Sequence, residues 1–251
     1  MSIAAIDLAI LGPAFVAGLL VTATHAPLGI QVLSRGIVFV DLAIAQIAGL
    51  GVILADSLGL EPQGWAVQGA ALAAACAGAL LLTWTERHWP EVQEAVIGTT
   101  FVLAASGALL LLAANPHGGE HLKELLVGQI LWVSWTRLVP VALVYAVILA
   151  LWFGMGERLS RTGFYLMFAV AVTASVQLVG IYLVFATLIV PALATYRLRR
   201  ARLAVCYGLG AAGYALGLIV SAVLDLPSGA VIVWALALLA APVFALGTRR
   251  S

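Results

Sequence analysis

Charge is what this sequence has least of. Asp, Glu, Lys and Arg make up 9% of its 251 residues, against 64% hydrophobic, and the mean hydropathy is +1.13. A chain this apolar is excluded from the soluble proteins, and one this long exceeds one or two membrane crossings. Cysteine is scarce too. Cys76 and Cys206 lie in separate apolar segments with no CxxC and no pairing pattern, so both read as packing residues. No GxxxxGK[ST] stretch occurs, so the chain cannot bind ATP by a P-loop, and any ATP-driven role needs a second polypeptide. The formal net charge is only +1, and no basic surface speaks for a nucleic-acid partner. No Lys or Arg precedes the first apolar run, and Asp7 lies in it, which argues against a cleaved secretory signal.

What is abundant is apolar runs of about 20 residues, the length that spans a bilayer as a helix. A backbone in lipid must satisfy its own hydrogen bonds, so the fold class is an all-α polytopic membrane protein, with residues 1–251 forming one transmembrane domain. The first span covers about Ile6 to Leu33 and is expected to break at Pro13 and Pro27. Others are expected at Ile37 to Ala55, Trp65 to Thr83, Val92 to Ala113 and Leu138 to Phe153. LLVGQILWVSW is too short for a full crossing and reads as re-entrant or interfacial. From Phe164 to Tyr196 the 33 residues are too many for one untilted helix, so two short spans are expected to meet near Gly180. Pro191 should kink or break the second of them. Two further spans end at Leu224 and at Arg249 and Arg250.

Basic residues cluster in alternate connections: Arg35, Arg87, Arg158 with Arg161, then Arg197, Arg199, Arg200 and Arg202, then the C-terminal pair. Placing all of them in the cytoplasm satisfies the positive-inside rule. In a fold of about eight to nine transmembrane helices this requires about nine crossings, with the N-terminus outside and the C-terminus cytoplasmic; Lys123 is the main dissenter. In GLGAAGYALG, Gly208, Gly210, Gly213 and Gly217 have the small-xxx-small spacing of close helix packing, against another helix or a second subunit.

The second span, IVFVDLAIAQIAGLGVILA, carries Asp41 and Gln46. A carboxylate in the hydrocarbon core costs roughly 2.5–3.5 kcal/mol on insertion scales, so it faces protein, a partner or a watery path by default. A solvated or ion-paired cap beside Arg35 is the competing reading. His25 is a second ionisable group within an apolar run. His117, Glu120 and His121 in HGGEH match the HxxEH spacing of one zinc-protease class. Asn115, Pro116, Gly118 and Gly119 make that stretch a turn rather than the helix such ligands need, so it reads as an outer loop able to attract a cation. Gln129, Gln177, Thr173, Ser175, Thr187 and Thr195 read as hydrogen-bonded packing residues.

Four stretches, in order, carry a family resemblance. PLGIQVLSRGIVFVDLAIAQIAGLGV, VQEAVIGTTFVLAASGALLLL, HLKELLVGQILWVSW and LVGIYLVFATLIVPALATYRL resemble successive blocks of the permease subunits of zinc and manganese ABC importers, over about residues 26–197. The resemblance implies a homodimeric core in the cell inner membrane and two copies of a separate cytoplasmic ABC ATPase. It also implies an extracytoplasmic metal-binding protein that delivers the ion. The cargo would be Zn²⁺ or Mn²⁺, with no permanently bound cofactor and no enzyme activity in the chain itself. Taken with the residues themselves, this reading makes Asp41 the pathway carboxylate, His25 a helper, His117, Glu120 and His121 the outer mouth, and Glu157, Arg158 and Arg161 the groups facing the ATPase. The sequence departs from the family in three places. Ala45 stands where the family has a histidine, Gln129 where it has an acid, and GMGERLSRTG is shorter than the usual ATPase-docking segment. Losing those two ligands favours Mn²⁺, which tolerates oxygen donors, over a tight Zn²⁺ site. The short segment motivates the alternative of a permease-derived carrier, channel or membrane scaffold without an ATPase.

Overall fold

The computed structural model describes residues 8–60, 64–112, 130–155, 159–198 and 200–248. Among these residues the structure is all helical: α1 (Leu8–Arg35), α2 (Val40–Ser57), α3 (Trp65–His88), α4 (Gln93–Leu112), α5 (Trp135–Met155), α6 (Arg161–Val179), α7 (Ile181–Ala194), α8 (Arg202–Leu224) and α9 (Ser228–Thr248). Short 3₁₀ turns precede α4 and α5. Eight of the helices are long and apolar enough to cross a membrane; α7, with 14 residues, is not. At 1.5 Å per residue α7 rises about 21 Å, short of a hydrocarbon core about 30 Å thick.

The division of the 164–196 stretch falls at Gly180, whose φ of +83° ends α6 and starts α7. A side chain would be strained in that conformation, so glycine is what lets the chain turn there. The prolines behave differently from expectation. Pro13 and Pro27 both sit inside one continuous α1, and Pro191 lies within α7, which runs on to Ala194. All three are buried among neighbouring helices, where packing offsets the single backbone hydrogen bond each proline removes.

The helices pack in two groups that share α6. In one, α2 lies between α3 and α4; in the other, α1 packs on α7 and α8, and α9 covers α7 and α8. α6 touches α2 and α3 on one side and α1 and α7 on the other. Glycine sets the approach distances. A Cβ on Gly51 would collide with Ala70 and Ala74 of α3, and one on Gly78 with Ile47 of α2. Gly210 presses on Thr22 of α1, Gly213 on Leu236 and Gly217 on Ile232 of α9, while Gly208 faces open space. The small-residue spacing in α8 therefore serves packing within one chain, which is how membrane helices associate when apolar side chains gain nothing by leaving lipid.

Candidate functional site

Asp41 is the second residue of α2 and is 1% exposed. The solvated-cap reading does not hold: the carboxylate lies inside the bundle, and its Oδ1 has no hydrogen-bond partner among the described residues. Its place at the helix start sets the positive end of the α2 dipole and the unbonded first-turn amides beside it, which favours a negative group there. The preceding residue but one, Phe39, stacks in parallel on Phe185 of α7, with ring centroids 6.1 Å apart. Glu94, in the first turn of α4, reaches the backbone of the same Phe39, and its Oε2 is buried without a partner among the described residues. The start of α2 is thus wedged between α7 and α4, with two carboxylates nearby that have unfilled lone pairs. Gln46 and Ala45 are buried deeper along α2.

The charged ends of three helices meet on one face of the bundle. The Arg35 guanidinium lies over the Phe164 ring, 4.3 Å from its centroid. Arg161 Nε is 3.5 Å from Glu86 Oε2, and Arg87 Nη2 donates to Thr162 Oγ1 at 2.7 Å. Ser160 caps α6 by accepting from the Gly163 amide at 3.0 Å. The charge pattern alone puts Arg35, Arg87 and Arg161 on one side, and the fold brings them together.

His25 lies in the middle of α1, fully buried. Ten residues, about 15 Å of helix rise, separate it from Arg35, while Asp41 opens the next helix. The two are therefore not gathered at one ion, and among the described residues no group of three or more His, Cys, Asp or Glu side chains is placed to hold a metal. His117, Glu120, His121, Gln129, Glu157 and Arg158 lie outside the described residues. The other polar expectations divide. Ser175, Thr187 and Thr195 donate to the carbonyls of Ala171, Leu183 and Pro191 at 2.7–2.8 Å, whereas Thr173 Oγ1 is buried without a partner and Gln177 is exposed.

Two tyrosines were missed. Tyr145 of α5 and Tyr214 of α8 are buried in the bundle. Tyr145 pairs with Ser175, and Tyr214 Oη is 2.9 Å from Thr187 Oγ1. Their signal in the sequence was a polar atom inside a long apolar run, the same one that drew attention to Asp41.

Eight long apolar helices and a short one, with a buried carboxylate at a helix start, define a multi-pass membrane protein of the transporter class. The sequence pattern of the ABC 3 transport family matches residues 7–159 and again 153–247, and the chain belongs to that family. It is accordingly an ABC-type permease of the inner membrane. Among solved structures it is similar to PsaBC from Streptococcus pneumoniae in complex with Fab, at TM-score 0.74 and 22% identity, over 94% of this chain and 90% of that one. It is also similar to a metal-chelate type ABC transporter in an inward-facing conformation, at TM-score 0.70 and 17% identity, over 95% and 85% of the two chains. No curated protein matches. At these identities the structural matches establish the fold, and family membership rests on the sequence pattern.

Proposed function

We propose that this chain is the membrane-spanning subunit of an importer for a divalent metal ion, zinc or manganese. Residues 1–251 act as one permease domain, and with the short α7 counted as a ninth, protein-lined pass the N-terminus lies outside and the C-terminus in the cytoplasm. Two copies form the pore. A cytoplasmic ABC ATPase drives alternating access, and an extracytoplasmic metal-binding protein supplies the ion. The observation that carries this reading is Asp41: a carboxylate 1% exposed, inside a bundle of membrane length, with its Oδ1 unpartnered among the described residues. Leaving such a group unpaired is costly, and a passing cation is what offsets the cost. Asp41 serves as the pathway carboxylate and His25 as a second ligand deeper in the bundle. His117, Glu120 and His121 attract the ion at the outer mouth. Arg161, with Glu157 and Arg158, faces the ATPase, and its pairing with Glu86 of α3 joins that surface to the α2–α4 group.

Co-purification tests the coupling. The full-length chain, co-expressed with a candidate cytoplasmic ABC ATPase, is expected to yield a stable complex whose ATP hydrolysis depends on the permease. Persistent failure to recruit an ATPase would transfer the chain to the uncoupled carriers or scaffolds.

A further inference from the structure

The group of helices built by α1, α7, α8 and α9 carries basic residues with no acid to balance them. None of the four helices contains Asp or Glu, and the sequence has no acid between Glu157 and Asp225. Asp225 closes the far end of α8, about 35 Å of helix rise from its start. Arg197, Arg199, Arg200, Arg202, Arg249 and Arg250, by contrast, are half of the 12 Lys and Arg in the chain. On the face shared by α3 and α6 the arginines have partners within the protein: Arg161 has Glu86, Arg87 has Thr162 and Arg35 has the Phe164 ring.

The turn from α7 to α8 and the close of α9 meet at one end of this group. Tyr196, just past α7, stacks on Phe244 of α9 with ring centroids 5.9 Å apart, and one turn earlier on α9 Ala240 packs with Ala194 and Leu209. The sequence leaves α9 from this end with Arg249 and Arg250. Arg202 opens α8, where a cation adds to the positive end of the helix dipole instead of offsetting it, the reverse of the favoured placement. Ala201, the residue before it, offers no side-chain cap. Arg202 Nη2 donates to the Ala192 carbonyl at 3.2 Å, which ties the side chain back to α7, while its Nε is buried without a partner among the described residues. Arg200 is exposed, and the Arg197 guanidinium lies over the Tyr196 ring, 5.1 Å from its centroid.

The helices that build this end supply no countercharge, so the countercharge comes from outside them. The surface changes character in steps. Arginines come first, then the stacked pair of Tyr196 and Phe244, then Leu193, one turn back along α7 from Arg197; both rings and the leucine are exposed. Charge, amphipathic ring and hydrocarbon follow one another in the order of a membrane read from headgroup to core. A phosphodiester carrying acyl chains matches every step, whereas an acidic protein surface matches the first alone.

We propose that this end of the bundle is a docking surface for an anionic phospholipid, in which Arg197, Arg200 and Arg202 hold the phosphodiester headgroup and Leu193 with the Tyr196–Phe244 pair takes the first part of the acyl chains. The site is separate from the ion pathway at Asp41. Only its leaflet, the cytoplasmic one, follows from the orientation proposed above.

The test is native mass spectrometry of the purified full-length chain, alone and with a co-purified ATPase, in neutral detergent titrated with phosphatidylglycerol. Phosphatidylcholine serves as the neutral lipid and glycerol 3-phosphate as the soluble phosphate. Phosphatidylglycerol is expected to bind about tenfold or more tightly than either, and an arginine near the headgroups contributes about fivefold. Arg200→Gln combined with Arg202→Gln should therefore weaken binding by about 25-fold. Arg200→Gln alone changes an exposed side chain and should lose about fivefold, which decides the matter should the double variant fail to fold. Arg87→Gln combined with Arg161→Gln removes the same charge from the α3–α6 face, and screening should keep its effect on the chain alone within about twofold. Equal weakening by the two double variants would show a diffuse field and no site. Equal binding of phosphatidylcholine or glycerol 3-phosphate would remove the anionic lipid, and displacement of the lipid by the ATPase would assign the arginines to that subunit. Any of these results, or full affinity in Arg200→Gln, overturns the proposal.

Discussion

α5 and α6 are neighbours in the chain and opposites in the fold. The most apolar stretch of α5 has a mean hydropathy of 2.4 and is 17% buried; that of α6 has 1.7 and is 67% buried. The same inversion runs through the bundle: α9 at 2.4 is 22% buried and α4 at 2.2 is 22% buried, while α2 at 1.6 is 61% buried. In a soluble protein the most hydrophobic elements go inside. Here they go outside, because lipid is the solvent, and the helices that pay the polar cost of Asp41, Gln46, Thr173 and Ser175 are the ones other helices surround.

The sharpest way to break this contrast is to compare two glycines, one on each kind of surface. Gly29 in α1 has the Leu188 carbonyl where its Cβ would go, and a backbone atom cannot swing aside. Gly29→Ala should lower stability by about 3 kcal/mol, at the upper end of overpacking effects and beyond the roughly 1 kcal/mol that alanine returns in helix propensity. A Cβ on Gly98 of α4 would meet nothing within 4 Å outside its own helix backbone among the described residues, so Gly98→Ala should leave stability unchanged or raise it by up to about 1 kcal/mol. Thermal unfolding of the purified protein in detergent reads both. Equal losses would contradict the inside–outside division, and a loss at Gly98 alone would show that a second copy covers α4. A smaller effect is expected at the ion pair of Glu86 and Arg161. Arg161 is 47% exposed, so Glu86→Gln should cost about 0.5 kcal/mol or less in the same measurement.

Much of the fold was legible in the sequence because lipid imposes a simple rule of length and hydropathy. The spans, the turn at Gly180 and the clustering of Arg35, Arg87 and Arg161 follow from that rule and from charge. The prolines did not, since whether Pro13 and Pro27 break a helix depends on tertiary packing that no local pattern encodes. The site was legible only in part. A buried acid in an apolar run identified Asp41, but the unbalanced charge where α8 begins becomes visible only when α1, α7 and α9 are laid against it. Tyr214 and Tyr145 read as ordinary apolar-span residues until their hydroxyl partners, 27 and 30 residues away, are known.

The central claim is that a cation crossing this protein meets Asp41. Radioactive manganese and zinc uptake by cells carrying the complete transporter, with wild type and Asp41→Asn at equal membrane levels, tests it most directly. The carboxamide keeps the shape and removes the charge, so uptake of the transported ion should fall by about tenfold or more. Uptake equal to wild type would remove Asp41 from the pathway.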